Sequence, residues 1–115
     1  MINTYNKYDT VIVKFYFASS KVYKARPAVI ISSDYYNSVS RNNIVALAIS
    51  SQFETKLDFE PEIIDFKNAG LSKPSILKSN IVTVEKDFIL QTIGSLEKDD
   101  RENLNSLIEK ILNKG

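Results

Sequence analysis

The chain has 115 residues, of which 43% are hydrophobic and 25% charged, and these are values of a globular rather than a disordered protein. It contains no cysteine and no histidine, which excludes disulfides, thiol nucleophiles, thiolate metal sites and imidazole acid–base catalysis. The net charge of +1 argues against a strongly electrostatic nucleic-acid binder when the chain is taken as a whole.

The beginning of the chain, Met1 to Lys7, lacks the apolar core of a signal peptide. No apolar stretch approaches the length of a membrane span. We therefore expect a soluble, cytoplasmic protein. A chain of this length supports one modest hydrophobic core, so residues 1–115 are predicted to form a single domain.

Strands dominate the predicted structure. Thr10 to Phe17 alternates between apolar and polar residues, which is typical of a half-buried strand. Ala28 to Ile31 and Ile44 to Ile49 are continuous apolar runs, which predict strands covered on both faces by a helix, a partner subunit or both. Further short strands are expected at about Glu62–Phe66, Ser75–Lys78, Ile81–Val84 and Phe88–Ile93.

The last element is predicted to be an amphipathic helix. Acidic residues follow Gly94, where a helix N-terminus favours them, and Lys110 and Lys114 lie near the end. Apolar residues recur between them at spacings of three and four, from Leu104 to Leu112. Many short strands and one terminal helix predict a mainly β fold, a small antiparallel barrel with the C-terminal α-helix packed on it.

The segment around Arg26 is the most informative in the chain. Arg26 stands before Pro27 at the start of a buried strand, and the proline biases it toward extended geometry. If 28–31 and 44–49 are antiparallel neighbours, the start of the first lies beside the end of the second. Arg26 and Ser50 would then share one rim of the barrel. The alternative is a solvated arginine at a strand edge.

Other residues of the same rim have the chemistry of a site for phosphate and an unpaired base. Cations hold phosphates, and an exposed tyrosine ring can stack on a base. Residues 1–50 carry six basic and two acidic residues, a balance that suits an anionic ligand. For each candidate residue of this site, the alternative interpretation is a solvated side chain in a loop. The candidate RNA-binding residues are Lys21, Tyr23, Lys24, Ser51, Gln52, Lys73 and Lys78.

RNA cleavage is compatible with this set because the substrate's own 2′-hydroxyl can attack the phosphorus, so no protein nucleophile is needed. Arg26 is predicted to be catalytic, with paired donors for the phosphate oxygens where charge accumulates. Ser50 is predicted to assist through a hydrogen bond to a phosphate oxygen or to the nucleophile. A carboxylate such as Asp9, or a water, could accept the first proton.

From about Tyr8 to Leu112 the chain resembles the MazF/PemK family of toxin endoribonucleases. Two departures are visible: Tyr8 stands where the family usually has glycine, and the loop before Arg26 has no glycine. The resemblance is carried by the segments Asp9–Val11, Arg26–Ser32 with Asp34 and Asn37, Ile44–Ser51, Gly70–Ser75, Ile81–Val84 and Ile93–Leu96.

The resemblance implies an SH3-like barrel, a homodimer, and metal-independent, cofactor-free, sequence-selective cleavage of single-stranded RNA. It also implies a cognate antitoxin as partner. The family's key arginine falls on Arg26, and its threonine after the third strand falls on Ser50, which keeps the hydroxyl. The Arg-x-Asp pair of one branch of the family is replaced by Lys78–Asn80, so its acid–base assignment does not transfer.

Fold alone does not decide the activity, because the same barrel occurs in toxins that poison DNA gyrase without cutting RNA. The alternative function is therefore a binding protein of the same fold without nuclease activity, either gyrase-directed or inactive. A dimeric structural adaptor is a third possibility. The intact Arg26 and the hydroxyl at Ser50 favour the nuclease.

Overall fold

The computed structural model describes residues 5–115, which form a five-stranded antiparallel sheet in the order β4-β3-β2-β1-β5 and two helices. Within these residues no hydrogen-bonded ladder joins the outer strands β4 and β5. The mainly β fold with a C-terminal helix is confirmed. The elements are β1 (Asp9–Phe17), β2 (Val22–Ile30), α1 (Asp34–Val39), β3 (Asn43–Ser50), β4 (Ile76–Glu85), β5 (Ile89–Ser95) and α2 (Lys98–Leu112).

Three local predictions were wrong. The second strand begins at Val22, so Arg26 lies within β2 rather than at its start, and the connection to β1 is a tight turn over residues 18–21. Residues 75–78 and 81–84 lie in one continuous strand, β4. The segment 62–66 forms no strand and contributes a single bridge between Glu62 and Ile76.

The β1–β2 turn closes without glycine because a lysine takes the left-handed backbone conformation. Lys21 has φ of 55°, and the Ser20 N–H donates to the Phe17 carbonyl at 3.2 Å. Beyond the turn the two strands pair over eight positions, from Phe17 opposite Val22 to Thr10 opposite Val29. The hairpin is therefore regular to its tip.

Two apolar clusters on opposite faces of the sheet explain the doubly apolar strands. Odd-numbered residues such as Val29 and Leu47 pack with Leu104 and Leu107 of α2. Even-numbered residues of the same strands pack with β1 and β4 in the second cluster. Intramolecular packing therefore covers both faces of β3 and of β2 from Ala28 to Ile30. The second cluster contains Val11, Val13, Ala28, Ile30, Ile44, Ala46 and Val84.

The first turn of α2 is fixed to the loop before β4 by a buried carboxylate. Asp100 is 1% exposed and accepts from the backbone N–H groups of Ile64 (2.7 Å) and Asp65 (2.9 Å). A carboxylate in the first turn also suits the positive end of the helix dipole. Asp100 thus connects the helix to the segment that was wrongly predicted as a strand.

Tyr8 fixes α2 to the start of β1 at the cost of an unfavourable backbone conformation. Its φ is 76°, in the left-handed region that glycine adopts more readily than other residues. Its hydroxyl donates to Asn105 Oδ1 at 3.0 Å, and the Arg101 guanidinium lies 4.8 Å from its ring centroid. The side chain therefore supplies contacts that glycine could not. In the described part of the chain, no helix has the length and apolar character needed to cross a membrane.

Candidate nucleic-acid site

A pocket opens where β2 and β3 separate. The two strands pair only at Ala28, Val29 and Ile30. The Ile31 N–H donates to the Val45 carbonyl at 2.9 Å, and every second residue of β2 faces β3 in an antiparallel ladder, so Val29 would bond next and residue 27 after it. That residue is Pro27, which has no N–H to donate. Proline therefore ends the ladder, and the strands diverge beyond it.

The pocket encloses about 490 Å³ between β2, the end of β3 and the loop after Gly70. Arg26 and Ser50 both line it. Antiparallel pairing predicts this shared rim, because the β2–β3 register would place the two residues opposite each other if it continued two residues beyond Ala28. The apolar lining is Ile12, Ala25, Pro27, Ile49, Leu71 and Ile93; the remaining polar lining is Ser51, Gln52, Ser72, Lys73 and Ser75, with Gly70.

Arg26 is exposed and has most of its donors available. One terminal nitrogen donates to the neighbouring Ala25 carbonyl at 3.0 Å, and the guanidinium carbon lies 5.8 Å from the Phe17 ring centroid. No salt bridge to Arg26 exists within residues 5–115. The guanidinium is therefore oriented by a backbone carbonyl and an aromatic face, while its charge remains free for an anion.

Ser50 ends β3 and shapes the turn that follows. Its Oγ accepts the Gln52 backbone N–H at 3.0 Å, so the hydroxyl hydrogen remains available to donate. The same bond fixes the turn that carries Ser51 and Gln52 along the pocket. Of the sequence-predicted candidates, Arg26, Ser50, Ser51, Gln52 and Lys73 line this one pocket.

A close backbone contact brings the loop that carries Lys73 to the pocket. Gly70 has φ of +79°, and a Cβ there would lie 2.0 Å from the Ile93 carbonyl oxygen. Gly94 permits the same approach from β5, since its Cβ would lie 2.6 Å from the Ala69 carbonyl carbon. Only glycine allows the loop to lie this tightly against β5. Lys73 reaches the pocket as a consequence.

Lys78 is placed differently, in the one salt bridge of the described residues. Its ammonium nitrogen lies 3.0 Å from Glu60 Oε1 and also donates to the Thr55 carbonyl. Glu60 is 1% exposed, and burial raises the pKa of its carboxyl. Hydrogen bonds from Leu57, Ser79 and Lys78 outweigh burial and lower that pKa to about 2. The ammonium of Lys78 thus anchors a loop.

Lys21, Tyr23 and Lys24 lie at the far end of the β1–β2 hairpin, outside the pocket lining. Cross-strand partners surround Tyr23: the Tyr16 ring lies 5.1 Å away between centroids, and the Lys14 ammonium lies 4.9 Å from its ring.

Lys24 similarly stands over Phe17, at 5.3 Å. Sequence reasoning missed Lys14 and Phe17 as parts of this surface. The signal was available, because a hairpin over 10–24 brings them opposite the predicted residues.

Asp9, considered as a proton acceptor, lies elsewhere. It pairs with Ser95 at the start of β1, whereas Arg26 lies opposite Val13, four residues further along. At about 3.3 Å per residue this is a separation of roughly 13 Å. Burial raises the pKa of Asp9 and the Asn6 backbone N–H lowers it, with a net upward shift. Across residues 5–115, no three acidic side chains cluster in a way that could hold a metal ion.

Comparison with solved structures shows the fold. A mycobacterial endoribonuclease in complex with its cognate antitoxin has a TM-score of 0.74 at 15% identity, covering 96% of each chain. The Mycobacterium tuberculosis toxin MazF-mt6 has a TM-score of 0.74 at 21% identity, covering 93% of this chain and 98% of the toxin. Deinococcus radiodurans MazF has a TM-score of 0.72 at 16% identity, covering 95% and 96%.

The family is shown by a separate match. No curated protein matches the sequence significantly. A family model described as the PemK-like, MazF-like toxin of type II toxin–antitoxin systems matches residues 6–112, nearly the whole chain. That match confirms the resemblance carried by the segments from Asp9 to Leu96. The chain therefore belongs to the PemK-like, MazF-like family of type II toxin–antitoxin toxins.

Proposed function

We propose that this toxin is an endoribonuclease that cleaves single-stranded RNA in a sequence-selective manner and needs no metal ion or cofactor. The observation that carries the proposal is the pocket that Arg26 and Ser50 both line. A guanidinium without an ion-pair partner and a hydroxyl that line one pocket together with apolar residues fit a phosphodiester and an adjacent base. The neighbouring Lys73 adds a second positive charge at the same pocket.

In the proposed reaction the 2′ oxygen attacks the adjacent phosphorus as its hydroxyl loses a proton. The bond from phosphorus to the 5′ oxygen breaks, and that oxygen gains a proton, leaving a 2′,3′-cyclic phosphate and a 5′-hydroxyl end. Arg26 stabilises the additional negative charge on the five-coordinate phosphorus, and Ser50 donates its hydroxyl hydrogen to a phosphate oxygen. Removing one such donor typically costs roughly 10²–10³ in rate.

The RNA strand is proposed to extend from the pocket along the β1–β2 hairpin. Ser51, Gln52 and Lys73 would contact it at the pocket. Lys21, Tyr23 and Lys24 would contact it at the hairpin, with Tyr23 as the stacking platform. Lys78 is proposed to act on RNA only indirectly, because its ammonium is already bonded to Glu60 and Thr55.

The proposed partners are a single-stranded RNA substrate, a cognate antitoxin and a second copy of the chain. The antitoxin is supported by the family and by the mycobacterial relative solved with its own antitoxin. The homodimer is supported by large apolar side chains that stay exposed on the single chain, including Leu90 at 56% and Leu112 at 64%. Light scattering at micromolar concentration should give twice the monomer mass of 13.0 kDa.

The test is cleavage of a long single-stranded RNA in the presence of a chelator, with the ends mapped by sequencing. The wild type should produce cyclic phosphate ends at a recurring sequence. Arg26→Ala should lose about 10²–10³ in rate. Arg41→Ala is the matched control, because Arg41 is an exposed arginine outside the pocket, and it should cut like the wild type.

Two results would contradict the proposal. Equal cleavage rates for Arg26→Ala and the wild type would remove the guanidinium from the reaction. Binding of RNA without any cut by the wild type, at all substrate sequences in a random library, would favour the alternative of a non-nuclease binding protein.

A further inference from the structure

A chain of hydrogen bonds leads from a buried carboxylate to the hydroxyl of Ser50. Lys78 Nζ lies 3.0 Å from Glu60 Oε1 and donates to the Thr55 carbonyl at 3.0 Å. The Thr55 hydroxyl donates to the Gln52 carbonyl at 3.1 Å. The Gln52 N–H then donates to Ser50 Oγ at 3.0 Å. Every step lies within ordinary hydrogen-bonding distance, so Ser50 is connected to an anchor outside the pocket.

The anchor of this chain is buried and well bonded. The side chain of Glu60 is 1% exposed and that of Lys78 is 16% exposed. Glu60 accepts three further hydrogen bonds, one from the Leu57 N–H and two from the N–H and hydroxyl of Ser79. These bonds fix the carboxylate from several directions. The ammonium beside it is therefore held in one position, from which it bonds the Thr55 carbonyl.

An irregularity of β4 explains how two neighbouring residues reach the same carboxylate. Adjacent side chains of a regular strand point to opposite faces. The side chains of Lys78 and Ser79 nevertheless both bond to Glu60. Opposite Ala48 the β3–β4 register shifts, so that residues 78–80 stand against one residue of β3. Extra residues in a ladder bend the strand and change the direction of its side chains, and here they direct Lys78 to the loop after β3.

The orientation of the Ser50 hydroxyl depends on that loop. A serine side chain has three staggered rotamers, and its hydroxyl also rotates about the C–O bond. The bond from the Gln52 N–H selects the rotamer of Ser50 and leaves the hydroxyl hydrogen to donate. Both backbone groups of Gln52 are held, the N–H by Ser50 and the carbonyl by Thr55. A displacement of Thr55 would therefore release Ser50.

Direct action of Lys78 on RNA is the other interpretation of a cation in this region. None of Lys78, Glu60 and Thr55 lines the pocket. Two of the three donors of the ammonium are already bonded within the protein. The carboxylate 3.0 Å away also offsets the positive charge that an anion would meet. A positioning role uses the bonds that are present and needs none of them to break.

We propose that Lys78 is a positioning residue, which orients the Ser50 hydroxyl through Thr55 and Gln52 without contact to RNA. Glu60 holds the ammonium in place, and Thr55 transmits its position to the turn. The inference rests on the proposed function for one consequence, the rate of RNA cleavage, whereas the orientation of Ser50 is independent of it. Loss of the chain should slow the cleavage of bound RNA rather than weaken RNA binding, because Ser50 acts on the reacting phosphate.

The decisive variant is Thr55→Val, because it breaks the chain without any change of charge. Thr55 is exposed, and valine has nearly the same shape as threonine, so the fold should be retained. Three-bond couplings between the α and β protons of Ser50, measured by NMR without RNA, report its rotamer. The wild type and Thr55→Ser should show one dominant rotamer, and Thr55→Val should show averaged couplings. Thr83→Val is the matched control at an exposed threonine of β4 outside the pocket, and it should resemble the wild type.

A second set of variants tests the anchor. Lys78→Met removes the ammonium but leaves the buried Glu60 without its ion-pair partner, which can unfold the protein. Glu60→Gln combined with Lys78→Met leaves no buried charge at this position, and circular dichroism identifies which variants are folded. In each folded variant the Ser50 couplings should be averaged, as in Thr55→Val.

Cleavage kinetics show whether the chain acts through Ser50. Thr55→Val should lower kcat about tenfold and change KM by less than about twofold. Thr55→Ser keeps the hydroxyl and should cut like the wild type. In the Ser50→Ala background, Thr55→Val should change kcat by less than about twofold, because the hydroxyl that it positions is absent.

Five results would overturn the inference. In the NMR measurement they are a single Ser50 rotamer in Thr55→Val, or unchanged Ser50 couplings in folded variants without the Lys78 ammonium. In the kinetics they are equal defects of Thr55→Ser and Thr55→Val, independent effects of Thr55→Val and Ser50→Ala on kcat, or a raised KM with normal kcat in Thr55→Val. A wild type that cuts no RNA would refute the proposed function alone, since the Ser50 couplings are measured without RNA.

Discussion

The Glu60 carboxylate is expected to make the stability of this protein strongly dependent on pH in the acid range. It is 1% exposed and accepts four hydrogen bonds, two from Ser79 and one each from Leu57 and Lys78. Its pKa falls from 4.5 to about 2 on folding. At 1.36 kcal/mol per unit this corresponds to about 3 kcal/mol of stability at neutral pH.

The sign follows from which state binds the proton. Below pH 4.5 the unfolded glutamate becomes protonated, whereas the folded one stays ionised down to about pH 2. This stability is therefore fully present above pH 4.5 and is lost as the pH falls toward 2. Between pH 7 and pH 3 the free energy of unfolding of the wild type should fall by about 2 kcal/mol more than that of Glu60→Gln.

Urea unfolding at a series of pH values measures this difference. At pH 7 the free energy of unfolding of Glu60→Gln should be about 3 kcal/mol below that of the wild type. The substitution removes the carboxylate and leaves the partly buried Lys78 ammonium without its ion-pair partner. Glu85→Gln is the matched control: Glu85 is an exposed glutamate of β4, and its substitution should change the pH profile by less than about 0.5 kcal/mol. Parallel pH profiles for Glu60→Gln and the wild type would refute the reasoning.

Substitutions at four further positions test the site and its support. Gly70→Ala should cost more than about 1 kcal/mol in urea unfolding, because a Cβ would meet the Ile93 carbonyl. Asp100→Asn should cost about 1–3 kcal/mol by the same assay, since it weakens the bonds that a buried carboxylate accepts from two backbone N–H groups. Tyr8→Gly relieves about 1 kcal/mol of backbone strain yet should still be less stable, because it loses the contacts with α2; a more stable variant would contradict this. Ser50→Thr should keep RNA cleavage and Ser50→Ala should lose at least about tenfold, as measured on the mapped RNA.

Much of the fold could be predicted because its signals are local. The alternation from Thr10 to Phe17, the apolar run from Ile44 to Ile49 and the helical spacing after Leu104 each lie within one element, and each element formed where expected. The segment 62–66 was predicted as a strand from its composition, but the Asp100 carboxylate holds its backbone N–H groups instead. Because Asp100 lies 35 residues from Asp65 in the sequence, no local pattern indicates this hydrogen bond.

The candidate site, like the fold, could be predicted from the sequence only in part. Antiparallel pairing of two recognisable strands is enough to predict that Arg26 and Ser50 line one pocket, and Pro27 is the local reason why the strands diverge there. Only the tertiary structure decided the surroundings of these residues. Lys78 meets Glu60 across 18 residues of chain, and the loop of Lys73 reaches the pocket only because Gly70 packs on β5. The periodicity of apolar residues indicates which face of a helix or strand is buried. The partner of a polar side chain depends instead on how distant segments pack, and the local sequence does not determine that packing.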